Sequence, residues 1–298
     1  MIKVIASDMD GTLLNHHHSI SERTRQAIRQ ACQKGFRFII VTGRNFVSAW
    51  QELKYADLEC DYILSSGAQV RNPKKEIIST INIPLEDCRF VNEVMKRYFI
   101  GGMYCAEDRN YMVGTREEID QGILEYIHFF HSDLNQEELK KTKLYEQMWE
   151  KTEEASSFEE LIHLEQNLSK IFLVDQDIEK LKNIKEDLEK NSNLAVTSSF
   201  VNNLEITNIK AQKGPILKEY IESLGYSMSE VMVLGDSMND YSMLSMDFGA
   251  TIAMANADEE IKAVAKYLTK SNEEDGVAEA IEEMMKHYGM LENNRTMK

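Results

Sequence analysis

The sequence predicts an α/β protein: a doubly wound, mostly parallel sheet with a second α/β domain inserted into it. Three observations carry this. Apolar runs at residues 2–6, 36–41 and 231–234 are too short for helices and read as buried strands. An amphipathic stretch of about a dozen residues joins the first two, which makes a right-handed strand–helix–strand unit. Each of the three runs stops abruptly at polar residues, and ligands of open parallel sheets bind beyond the carboxyl ends of the strands.

The first run leads into Ser7-Asp8-Met9-Asp10-Gly11-Thr12-Leu13-Leu14. Asp8 and Asp10 stand two apart, so on an extended chain they point the same way. Like charges that close are unfavourable unless a cation or a proton lies between them. Gly11 lets the chain turn away sharply. Taken alone, these residues fit a solvated acidic loop as well as a cation site. A calcium loop is excluded. The EF-hand pattern wants its glycine after a third acidic or amide ligand and a Glu six residues further on, whereas Gly11 follows the second Asp and His17 occupies the sixth position.

Residues 15–19 read as a polar loop. The adjacent His16, His17 and His18 cannot all face one site from regular structure, which favours solvated histidines over a metal site. Ser21 fits an N-cap, with Ser19 and Glu22 as an alternative capping box. Ala27, Ile28, Ala31 and Cys32 then form a buried stripe, and Gly35 ends the helix. The second strand, residues 36–41, ends in Thr42-Gly43-Arg44 beside Asp8. A hydroxyl and a glycine amide there can donate to a phosphate oxygen. Val47, Trp50 and Leu53 mark another helix, and Tyr62-Ile63-Leu64 a third strand, followed by Ser65-Ser66-Gly67-Ala68. Residues 69–71 and 77–80 read as a hairpin around Asn72-Pro73-Lys74-Lys75.

The pattern then changes. Residues 83–207 read as a separate α/β domain without a chemical motif, between core segments 1–82 and 208–298. A helix carries Phe90, Val91, Val94, Met95 and Tyr98, and residues 102–106 and 111–113 suit paired strands. Residues 117–164 are acidic and read as helical. Strands follow at 171–174, 194–197 and 204–206, with a helix through Ile178, Leu181, Ile184 and Leu188. The core resumes with residues 209–214, and Lys213-Gly214-Pro215 opens a helix with Ile216, Leu217, Tyr220, Ile221 and Leu224 inward and Gly225 beyond its end. A lysine at a helix start is usually only solvated, but macrodipole and ammonium together favour an anion there. Residues 231–234 end in Gly235-Asp236-Ser237-Met238-Asn239-Asp240, and a helix starting between Asp236 and Asp240 would bring the two carboxylates together. Residues 250–253 read as a strand and Asn256-Ala257 as a loop. A last helix starts near Gly276, with Val277, Ile281 and Met284 or Met285 inward, and residues 291–298 are expected to be loose.

The formal charge of the 298 residues is −16. Nucleic acids and anionic membranes need a basic face, so neither is expected as a partner. An anionic substrate would be repelled as well, unless a local cation offsets the field. Cys32, Cys60, Cys88 and Cys105 have neither zinc nor redox-motif spacing and read as idle thiols in a reducing compartment. No signal peptide opens the chain and no stretch approaches eighteen uninterrupted apolar residues, so a cytoplasmic protein is expected.

Asp8-Met9-Asp10-Gly11-Thr12-Leu13 resembles the first motif of the haloacid dehalogenase superfamily. Val41-Thr42-Gly43-Arg44, Lys213-Gly214 and the stretch from Gly235 to Asp240 resemble its other three motifs, in the expected order. The spacing is similar to that of the Cof-type sugar-phosphatase branch. The resemblance implies a Rossmann-like core, with residues 83–207 as a cap that closes over the active site and selects the substrate. It implies a phosphatase acting on small phosphorylated metabolites, with Asp8 as nucleophile and Asp10 as acid and base. It implies Mg2+ held by Asp8, the Asp10 main-chain carbonyl and Asp236, with Asp240 behind them. Thr42, Gly43, Lys213, Asn239 and the Met9 amide would bind the phosphoryl oxygens. Ser66 stands where relatives usually carry Asn, which puts the contact made by that amide in doubt. Arg44 reaches substrate or pairs with an acidic neighbour, the second being favoured. A phosphomutase or phosphotransferase of the same fold, or a non-catalytic phosphometabolite-binding protein, are the alternatives.

Overall fold

The computed structural model describes residues 1–54, 56, 58–107, 109–130 and 134–296. Strand β1 (Val4–Ser7) leads to α1 (Glu22–Gln33), β2 (Arg37–Val41), α2 (Phe46–Leu53), β3 (Asp61–Leu64), β4 (Gln69–Arg71) and β5 (Ile77–Thr80). Ser21 caps α1 by accepting a hydrogen bond from the Thr24 amide, and Asn45 caps α2 in the same way through Ser48. A second group follows: α3 (Leu85–Arg97), β6 (Met103–Cys105), β7 (Asn110–Val113), α4 (Arg116–Phe130), α5 (Gln136–Leu139), α6 (Lys143–Lys151), β8 (Thr152–Ala155), α7 (Phe158–Leu164), β9 (Lys170–Val174), α8 (Ile178–Leu188), β10 (Leu194–Thr197) and β11 (Asn203–Asn208). The chain ends with α9 (Lys213–Ser223), β12 (Val231–Gly235), α10 (Tyr241–Leu244), β13 (Ala250–Ala253), α11 (Glu259–Val264), β14 (Tyr267–Leu268) and α12 (Gly276–Thr296).

Two compact units result: Met1–Thr80 with Ala211–Lys298, and Ile81–Lys210. The junctions lie at 80/81 and 210/211, against the expected 82/83 and 207/208. The first unit holds an eight-stranded sheet in the order β14-β13-β12-β1-β2-β3-β4-β5. It is parallel from β14 to β3, and β4 and β5 add an antiparallel hairpin. Every residue of β1 and β12 is buried, which requires helices on both faces of the sheet. Two helix pairs, α1 with α12 and α9 with α10, supply that cover. From β1 the chain winds outward through β2 and β3. From β12, the neighbour of β1 on its other side, it winds the opposite way through β13 and β14. The switch point is therefore between β1 and β12, where an open α/β sheet has its binding crevice.

The second unit holds a six-stranded sheet, β10-β11-β9-β6-β7-β8. One apolar cluster joins α3, α7 and α8 to this sheet through Val91, Leu161, Ile171, Leu173, Ile184 and Ile206. A smaller cluster around Ile119, Ile123 and Ile127 belongs to α4.

Several local expectations need correction: Leu224, expected inward, is exposed, and Cys32, expected in a buried stripe, is only partly buried. Residues 152–155, expected to be helical, form β8 and pair in parallel with β7. Thr152 and Ala155 are buried while Glu153 and Glu154 bridge to Arg109 and Arg116. Tertiary pairing decides here against an acidic composition. Helix α11 and the two-residue β14 were not foreseen, because Ile261 is the only buried residue of α11. Helix α12 continues to Thr296 through most of the stretch expected to be loose, and Met297 and Lys298 lie outside the described residues. Of the two candidates on that helix, Met285 is the buried methionine. Among the described residues no helix is long and apolar enough to cross a membrane.

Candidate active site

Parallel pairing sets the site. The register Ser7↔Leu234 between β1 and β12, and Ser7↔Ile40 between β1 and β2, brings the three polar strand ends to one edge. Asp8 follows β1, Asp236 follows β12 and Thr42 follows β2. Asp8, Asp236 and Asp240 each offer a carboxylate oxygen, and these oxygens lie within 4.8 Å of one another.

Lys213, the first residue of α9, enters this cluster and is fully buried. Its Nζ donates to Asp8 Oδ1 at 2.7 Å, Asn239 Oδ1 at 2.8 Å and Asp240 Oδ1 at 2.7 Å. The other Asp240 oxygen accepts from the backbone amides of Asp236 at 3.0 Å and Ser237 at 3.2 Å. The turn Met238–Asp240 is a single 3-10 turn, and it folds Asp240 back onto the residues that precede it. Asp240 thus stands inside the cluster, tied to both the cation and the Asp236 backbone.

Three carboxylates against one ammonium leave two negative charges in a buried place. Burial, then the Asp240 charge, pushes the Asp8 carboxyl up to about 8 in spite of Lys213. Burial, with Asp8 and Asp240 close by, raises Asp236 well above the usual carboxylate range. Burial disfavours the charged form of Lys213, but Asp240 and Asp8 more than reverse this and hold its ammonium above its ordinary value. An all-oxygen set with this excess charge fits a hard divalent cation.

Asp10 sits differently. Its two oxygens accept from Arg44 Nε at 2.8 Å and Nη2 at 2.6 Å, a bidentate fork. Burial would raise its carboxyl, but the Arg44 guanidinium outweighs that and holds it below the ordinary value. Arg44 also donates to Glu52 at 3.3 Å, so it pairs with acidic neighbours, as favoured from sequence. That one of them is Asp10 was not foreseen.

Thr42 is buried, and its hydroxyl accepts from the Arg44 amide at 3.2 Å. Gly43 lies between these two residues. Met9 is buried, and its carbonyl accepts from the Leu14 amide at 2.8 Å. Ser66 is at φ 59, ψ 28, and Ser65 is also left-handed. Asn is enriched in that region, which gives the usual Asn a backbone reason beyond any substrate contact.

Sequence reading missed Thr12, whose hydroxyl donates to Asp236 Oδ1 at 2.6 Å. The signal was its place in the first motif. That reading found the turn at Gly11 but missed how close the glycines bring backbone to the carboxylates. Gly11 has φ +74, and a Cβ there would stand 2.2 Å from Asp236 Oδ2. A Cβ on Gly235 would stand 2.6 Å from Asp240 Cγ. Both glycines let backbone lie directly against the acidic cluster.

The family model of the haloacid dehalogenase-like hydrolases matches residues 5–281. The chain belongs to that family, in its Cof-type branch. This hydrolase is 28% identical over 286 residues to a 5-amino-6-(5-phospho-D-ribitylamino)uracil phosphatase of Bacillus subtilis, covering 94% of each chain. It is 28% identical over 284 residues to a second B. subtilis phosphatase of the same description, covering 95% of this chain and 98% of that one. The solved structure of a haloacid dehalogenase-like hydrolase from B. subtilis matches the fold with a TM-score of 0.82, at 27% identity and over 94% of this chain and 99% of that one. The hydrolase is an enzyme of the phosphoric monoester hydrolase class.

The glycine contacts lead to a prediction. Gly11→Ala places a methyl group on the Asp236 carboxylate, so its phosphatase activity should fall about a hundredfold with the fold retained. Steady-state kinetics with circular dichroism of the same sample checks this. Near-normal kcat would mean that Asp236 does not need its present position.

Proposed function

We propose that this chain is a Mg2+-dependent phosphatase of small phosphorylated metabolites that works through an aspartyl-phosphate on Asp8. One observation carries the reading. A buried ammonium, Lys213, bridges Asp8, Asn239 and Asp240 at the same strand edge as Asp236. That arrangement keeps a carboxylate beside fixed positive charge, which phosphoryl transfer needs.

Asp8 attacks phosphorus, forming an Asp8 Oδ–P bond as the P–O bond to the alcohol breaks. Asp10 protonates the departing alcohol and later takes a proton from the water that hydrolyses the acyl phosphate. To donate, Asp10 must first be loosened from Arg44, because the fork keeps its carboxyl ionised. Lys213, Asn239, Thr42, Gly43 and the Met9 amide hold the phosphoryl oxygens. Asp8, the Asp10 main-chain carbonyl and Asp236 would hold the cation, with Asp240 beside them. When bound, magnesium supplies the positive charge that offsets these carboxylates and lets an anionic substrate approach. Residues 83–207 serve as the substrate-selecting cap. The partner is a small phosphorylated metabolite in the cytoplasm rather than a nucleic acid or a membrane, in keeping with a formal charge of −16.

The test is free-phosphate release from a panel of phosphorylated metabolites, with Mg2+ and after exhaustive chelation. Activity should vanish on chelation and return with Mg2+. Turnover that survives chelation would exclude the metal's role.

Metal-free protein gives a second check, by pH. The Asp8 carboxyl is at about 8 in the folded protein against 3.8 ordinarily. Between these values the folded state binds more protons than the unfolded one, so stability falls as pH rises through that window. The Tm of the chelated protein should therefore drop between about pH 5 and pH 8, and Mg2+ should restore most of the loss at the upper end. A Tm that climbs with pH over this range would contradict the crowding of charge around Asp8.

A further inference from the structure

Asp10 lies in a turn that is tied down on two sides. On the inner side, Leu14 donates its amide to Met9 O at 2.8 Å, and Thr12 reaches Asp236 through its hydroxyl. On the outer side, Asn256 Nδ2 donates to Gly11 O at 2.8 Å. Asn272 Nδ2 donates to Leu14 O at 2.9 Å. The backbone amide of Asn272 also donates to Asn256 Oδ1 at 3.1 Å, so the Asn256 amide group is fixed at both ends.

The loop that carries Asn256 is attached to the other half of the site. The Met254 amide donates to Gly235 O at 3.1 Å and the Asp258 amide to Asp236 O at 2.9 Å. Asn256 therefore spans from the backbone of the Asp236 segment to the backbone carbonyl next to Asp10. Its side chain bonds Gly11 O and the Asn272 amide. Its amide donates where a hydroxyl or a carboxylate would not reproduce both bonds.

We infer that Asn256, braced by Asn272, is a positioning residue that sets the place of the Asp10 carboxyl relative to the nucleophile. The inference rests on the reading of Asp10 as proton donor. Without the Asn256 strap the turn loses its outer anchor at Gly11 O, and the Asp10 carboxyl is no longer held at a fixed place relative to Asp8. Nucleophilic attack by Asp8 is left in place by this loss, since Asp8 is held by Lys213, which is held in turn by Asn239 and Asp240.

Leaving-group dependence separates these effects. Phenyl phosphate departs as a basic phenolate and needs the proton, whereas p-nitrophenyl phosphate departs as a weak base and scarcely does. The enzyme with Mg2+ is assayed on both, as wild type, Asn256→Ala, Asn256→Asp, Asn272→Ala and Asp10→Asn. The Asn256 variants should lose about tenfold to a hundredfold in kcat/KM on phenyl phosphate, which reports the steps up to departure of the alcohol and not the later hydrolysis that Asp10 also serves. On p-nitrophenyl phosphate their kcat/KM should stay within about twofold of wild type. Asn272→Ala should show a smaller loss with the same selectivity. Equal losses on both substrates, or no loss, while Asp10→Asn does discriminate, would overturn the positioning role and leave the phosphatase reading intact. An Asp10→Asn enzyme that does not discriminate would remove Asp10 as the donor, and this inference with it.

Discussion

Asp8→Asn should bring phosphatase activity down by at least about 10⁴-fold while the protein stays folded. An amide oxygen is a poor nucleophile, and no neighbour can take over the role. Asp10 is held in the Arg44 fork, and Asp240 spends its oxygens on Lys213 and on two backbone amides. The amide still offers Lys213 an oxygen in place of Asp8 Oδ1. Stability should hold or rise, because burial and Asp240 already disfavour the charged form of Asp8. The combination matters: a lost activity with an unchanged or higher Tm cannot come from unfolding. The measurement is phosphate release with saturating Mg2+, next to a thermal melt of the same preparation. Retention of even a tenth of the wild-type rate would move the nucleophile elsewhere.

Lys213→Met should be the most destabilising single change in the core unit. It deletes a fully buried ammonium and leaves Asp8 and Asp240 without their shared partner. Breaking a buried pair from one side costs about 3–5 kcal/mol, which corresponds to a Tm lower by roughly 10 °C. The penalty is carboxylate charge, so it should shrink as the medium is acidified and those groups protonate. Activity should fall too, since the group that faces the attacking oxygen is gone. A melt shifted by less than about 2 °C at neutral pH would show that the cluster is neutralised by something other than Lys213.

Much of this site could be read from sequence because of where parallel strands end. A buried strand is a recognisable apolar run, and whatever follows it in a parallel sheet arrives at a common edge. Asp8, Thr42 and Asp236 were legible for that reason. Lys213 was legible by its place in the order of motifs, since an isolated lysine at a helix start says little. What escaped were contacts that depend on loop paths. Thr12 reaches Asp236, Asn256 reaches Gly11 and Arg44 reaches Asp10 across distances in sequence that no local pattern records. The same limit explains β8. Thr152-Glu153-Glu154-Ala155 has neither strand composition nor clean alternation, and only its partner β7 makes it a strand. Helix α11 was hidden because six residues with one inward side chain leave no period to detect.

The insertion between β5 and α9 also governs the order in which the molecule can be assembled. Strand β1 is synthesised well before its neighbour β12, which begins only at Val231. Residues 81–210 hold a complete sheet of their own, with all pairings internal, so that segment can organise while β1 still lacks one flank. Closing the β1–β12 seam spans a long loop and is slow for that reason. A nascent chain that has not yet reached Val231 therefore holds Asp8 without Asp236 or Asp240 beside it.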